Sequence, residues 1–152
     1  MSQRTSAVDA ALKQVAALRL SGFHGDDTAV RHLLKEYGED QGLADKLWFD
    51  LPAGFQREDV ADLLALWSWQ TSDNGAAIMR SIESWVHDCA DGVKVWVALH
   101  QDAYPFVAHA SRIAHLGRVA SAFPSLEPRC NEMIAQTREW QRIEDKAGSP
   151  SS

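Results

Sequence analysis

The chain has 152 residues, 45% hydrophobic and 24% charged, with a formal net charge of −6. That size and balance fit one domain with its own core, held without a disulfide or metal staple. No run approaches the ~20 apolar residues of a membrane-spanning helix, and the N-terminal segment lacks the continuous apolar stretch of a secretory signal, so a cytoplasmic protein with no membrane association is expected.

The periodicity is helical throughout and points to an all-α, single-domain bundle of about six to eight helices over residues 1–143, with residues 144–152 as a disordered tail. Ser6 is a candidate cap for a first helix carrying Val8, Leu12, Val15 and Leu18 on one stripe and stopping at Gly22. The loop Gly22 to Asp27 holds two glycines and two carboxylates, too few ligands for a calcium loop, and reads as a turn in which Asp26 or Asp27 caps the second helix. That helix aligns Val30, Leu33, Leu34 and Tyr37 and ends at Gly38; a short one follows over Leu43 to Phe49, closed by Pro52 and Gly54.

A fourth helix runs from Arg57 to Gln70 through Val60, Leu63, Leu64 and Trp67, with Glu58 and Asp59 at the positive end of its dipole. Asp73 or Asn74 opens a fifth, whose stripe of Ile78, Ile82, Trp85, Val86 and Cys89 is expected to end at Gly92. The segment VKVWVAL, residues 93–99, alternates like a strand but has no neighbour strand to pair with, so a short buried helix is expected. Pro105 suits the first turn of a helix reaching Ala122, and Ser125 can cap a last helix carrying Cys130, Met133, Ile134 and Thr137 to about Ile143. Cys89 and Cys130 both fall on apolar stripes and read as buried free thiols.

The charge is local. Residues 21–62 hold ten of the 21 acidic residues against Arg31, Lys35, Lys46 and Arg57, which gives −6, while the rest of the chain sums to zero. Such a block on one face repels nucleic acid and attracts basic proteins. Among the six tryptophans, Trp67 and Trp69 are about 200° apart on their helix, so either that helix is buried on both sides or Trp69 faces outward as an interface anchor. Trp140 is either a half-exposed anchor or a lid on the core.

Catalytic signals are sparse. Glu83, His87 and Asp91 are spaced i, i+4, i+8, the spacing of one helix face that could carry a metal or an acid/base pair, with His100 beyond them. No HExxH, CxxC or nucleophile elbow accompanies them, and His32, His109 and His115 stand singly. The leading expectation is therefore a non-enzymatic binding protein without metal or cofactor, an inhibitor or immunity-type neutraliser that covers the active surface of a basic partner such as a toxin. Its contact residues are Asp26, Asp27, Glu36, Glu39, Asp40 and Asp45, with Trp48 and Trp69 as anchors. The alternatives are a metal-dependent enzyme using the Glu83, His87 and Asp91 face, and an adaptor subunit whose apolar helices pack on another chain or in a homodimer.

Overall fold

A computed structural model describes residues 2–38, 42–101 and 109–148. Eight α-helices form among them and no strand: α1 Gln3–Leu20, α2 Thr28–Tyr37, α3 Leu43–Phe49, α4 Arg57–Gln70, α5 Ala76–Asp88, α6 Gly92–Leu99, α7 His109–Ala122 and α8 Glu127–Gly148. A 3₁₀ turn, Pro124–Leu126, joins α7 to α8. None of the described helices is long and apolar enough to cross a membrane.

The centre of the packing is α4, which touches α1, α2, α5 and α6. Its Val60, Leu63, Leu64 and Trp67 are fully buried. A buried indole must place its N–H, and Trp67 Nε1 donates to the carbonyl of Val30 on α2 at 3.1 Å. The N–H of Val30, one of the orphan donors of the first turn of α2, is accepted by Gln14 Oε1 of α1 at 3.0 Å. One residue thus ties three helices. Across the next gap Arg19, in the last turn of α1, donates to Asp59 at 2.8 Å and to Asp62 at 2.7 Å, two carboxylates one turn apart on α4.

Several boundaries depart from the sequence expectation, each for a local reason. Ser2 caps α1 four residues before Ser6, accepting the N–H of Thr5 at 3.0 Å. The other end of α1 is a Schellman turn, in which Phe23 N–H donates to Leu18 O and Gly22 N–H to Arg19 O. Asp27 stands at the cap position of α2 but makes no capping bond; Asp26 accepts the Thr28 N–H instead. Helix α5 stops at Asp88, because Cys89 turns into the left-handed region at φ 52°. Asp91 then starts α6 by accepting the N–H groups of Val93 and Lys94 at 2.9 and 3.2 Å, and Gly92 is the first residue of α6, not the terminator of α5.

Cys89 is accordingly only half-buried, whereas Cys130 is fully buried and its thiol is pushed up to about 11 by burial. Ser125 lies inside the 3₁₀ turn, and α8 begins at Glu127 and continues to Gly148, so residues 144–148 extend a helix where a tail was expected. Glu, Lys and Ala in that stretch are good helix formers, and a solvated helix end has the polar composition of a tail. Pro105 and residues 149–152 lie outside the described residues.

The turn before α5 requires a glycine. Gly75 has φ +80°, and a Cβ there would sit 2.7 Å from Ser68 Cβ. Gly75→Ala is expected to cost about 2 kcal/mol in urea denaturation. Gly117→Ala, in the interior of α7 with nothing near its would-be Cβ, should leave stability unchanged or raise it by up to ~1 kcal/mol.

Candidate functional site

The residues expected to touch a partner fall in separate places. Asp26 is exposed and accepts from both the hydroxyl and the N–H of Thr28, which holds its carboxyl below the usual carboxylate range. Asp27 is engaged internally: its Oδ2 accepts from Arg31 Nε at 2.8 Å and from Gln70 Nε2 at 3.2 Å, which links the start of α2 to the end of α4. Glu36 lies 3.4 Å from His32 Nε2 one turn earlier on α2. Glu39 and Asp40 lie outside the described residues. Asp45 is on α3 and accepts the Trp85 indole N–H at 2.7 Å.

The two expected anchors differ. Trp48 is half-buried, packed edge-on against Trp85 with ring centroids 5.4 Å apart and against Phe55 at 5.5 Å, with the Lys94 ammonium over it at 5.7 Å. Trp69 is 81% exposed, although α4 is the central helix. The second branch of the sequence expectation therefore holds: Trp69 faces outward, and α4, though it touches four other helices, is not buried on the side of its last turn that carries this indole. Trp140 is half-buried under the guanidinium of Arg112 at 5.8 Å.

The acidic block is less free than its composition suggests. Of its described members, Asp27, Glu58, Asp59 and Asp62 each lie against an arginine of the same chain, whereas Asp26, Asp45 and Asp50 accept from neutral donors and keep their charge uncompensated by those bonds. Asp59 and Asp62, which count toward the acidic block in composition, are the counter-charges of Arg19.

Sequence reasoning missed Phe49, which is 89% exposed at the end of α3. It lies one turn beyond Asp45, on the side opposite the buried Leu47. The signal was available: Phe49 is two residues from Leu47, the same 200° relation that separates Trp69 from Trp67.

The structure does not assemble the proposed metal face. Glu83 is half-buried on α5 with its carboxyl pushed up by burial, His87 is exposed near the end of α5, and Asp91 lies beyond the left-handed turn at Cys89, committed to capping α6. His100 is elsewhere, stacked on Trp96 with centroids 3.8 Å apart and its Nδ1 2.7 Å from the Trp96 carbonyl. Among the described residues no group of three or more His, Cys, Asp or Glu comes together as metal ligands.

His87 meets His115 of α7 instead, with rings 5.4 Å apart. Arg118 donates to the His87 carbonyl and lies 3.3 Å from His115 Nδ1, which accepts from it. Burial, Arg118 and His87 together hold the His115 imidazole below its ordinary pKa.

Against known protein families, curated proteins and solved structures, the chain finds no match. The site must be read from its own geometry.

Two half-buried imidazoles, His115 and His100, make stability depend on pH in a defined direction. The unfolded chain protonates its imidazoles near 6.5, while folded His115 and His100, both lowered chiefly by burial, resist the proton. Their stabilisation is complete above 6.5 and declines as the pH falls below it. The urea midpoint is expected to drop between pH 7.5 and 5.5, and His115→Gln should reduce the size of that drop.

Proposed function

We propose that this chain is a cytoplasmic binding protein, not an enzyme, that docks onto a basic protein and neutralises it by covering its working surface, as an immunity protein covers a toxin. The observation that carries the reading is the exposure of two large rings, one of them beside a carboxylate that no arginine among the described residues pairs. Phe49 and Trp69 stand almost fully in solvent on helices whose opposite faces are buried. Phe49 is one turn from Asp45, which accepts from the neutral Trp85 indole, whereas Asp27, held by Gln70 next to Trp69, is already paired with Arg31.

Such rings cost water little to leave exposed singly, but they lose few rotamers on binding and so make good interface anchors. The Asp45 carboxylate beside Phe49 favours lysine- and arginine-rich surfaces and raises the association rate. The free thiols Cys89 and Cys130 suit a reducing compartment. Among the described residues no metal-ligand set forms around His87, so no observation favours the metal-enzyme alternative.

The test is capture of a partner by the tagged chain from its native host at low and high salt, followed by affinity measurement on the purified pair. A basic protein that is retained at low salt and released at high salt is expected. Phe49→Ala and Trp69→Ala should each weaken it about tenfold or more, ~1.4 kcal/mol or above. Ile143→Ala, an exposed apolar residue on α8, should leave affinity unchanged. A partner whose binding ignores salt and both ring variants would contradict the proposal.

A further inference from the structure

A groove of about 340 Å³ opens between the α1–α2 loop, α4 and α6, lined by Arg19, Phe23, Glu58, Asp62, Trp96 and His100. Its walls are aromatic. Phe23 is 45% exposed and occupies the left-handed region at φ 66°, a conformation that a bulky side chain adopts at a cost. Trp96 is held rigidly, with His100 stacked on one side and the Arg57 guanidinium over its ring at 4.3 Å.

Its polar groups are mostly acceptors. Glu58 is half-exposed with Arg57 Nε 3.5 Å away, and Asp62 accepts from Arg19 through Oδ2. A backbone carbonyl can only accept, so the contact from Trp96 O fixes the proton of neutral His100 on Nδ1 and leaves Nε2 an acceptor. Burial, with Arg129 and Arg57 nearby, keeps that imidazole below its ordinary pKa. The cations present are engaged: Arg19 on Asp59 and Asp62, Arg57 on Glu58 and the Trp96 ring, Arg129 on Leu99 O and Glu132. Among the described residues, Glu58, Asp59 and Asp62 against Arg19 and Arg57 leave the groove one charge negative.

We propose that this groove receives an arginine side chain of the basic partner, an inference that rests on the binding role proposed above. Arginine matches the lining in each respect. Its alkyl stem covers apolar walls, its planar head stacks on the Phe23 ring, and its five donors meet carboxylates and the His100 Nε2 lone pair. Lysine offers the charge without the plane, and an acidic side chain offers neither.

The experiment titrates N-acetyl-arginine amide, its lysine counterpart and N-acetyl-glutamate amide into the full chain, reading the ¹H–¹⁵N indole signals with Trp96 assigned through Trp96→Phe. Arginine is expected to move the Trp96 signal saturably, lysine less, and glutamate not at all. Phe23→Gly removes the ring and relaxes the backbone, so it should fold while weakening the response about fivefold or more, and Glu58→Gln should act in the same direction. An arginine response at Trp69 with Trp96 still would overturn the groove and leave the basic-partner reading standing. Equal shifts from arginine and glutamate, or no movement at Trp96, would overturn the groove too; failure of the basic-partner reading shows separately, as absence of salt-sensitive capture.

Discussion

The need of one buried indole for a hydrogen-bond acceptor organises the fold. Trp67 is fully enclosed, and its N–H reaches water nowhere, so α2 must lie where the Val30 carbonyl can accept it. A buried donor left unpaired costs ~1–3 kcal/mol, which makes this placement stringent. Because Gln14 takes the Val30 N–H, α1 is fixed by the same residue. Tyr37 packs edge-on against Trp67 at 6.0 Å and donates its hydroxyl to Asp50, which draws the end of α3 toward the same centre. With those helices placed, α4 has packed neighbours along most of its length, and only its last turn is left to present Trp69.

The charge of the acidic block has two uses that composition alone cannot separate. Asp59 and Asp62 act across the α1–α4 gap, where Arg19 holds both, and Asp27 ties α2 to α4 through Gln70 while pairing with Arg31. Asp26 and Asp45 accept from neutral groups, so their charge still radiates into solvent. In the proposed docking, the field that steers a basic partner would come from this smaller set, and the exposed rings of Phe49 and Trp69 would supply the short-range contact area.

Most helices could be read from spacing because the apolar stripes are long and regular; Val60, Leu63, Leu64 and Trp67 mark α4 without help from any contact. What spacing could not supply was decided by backbone geometry or by partners distant in sequence. The break at Cys89 comes from a left-handed residue that is not glycine, and it turns Asp91 from the third member of an i, i+4, i+8 face into the cap of a new helix. The cap of α2 is shared with Gln14, 16 residues earlier, so Asp27 was free to pair elsewhere. The groove beside Phe23 joins residues from three elements, and no local pattern announces it. Phe49 was legible, since the angular argument that singled out Trp69 applies to it unchanged.

Helix α4 carries one indole that solvent does not reach and another that stands in it. Hydrogen exchange of the six indole N–H groups, followed by NMR at constant pH, measures this directly. The Trp67 N–H should exchange only through global unfolding, among the slowest sites in the protein, while the Trp69 N–H exchanges at nearly the rate of a free indole. Rapid exchange at Trp67 would contradict the core, and protection at Trp69 in the isolated monomer would contradict the proposed docking surface.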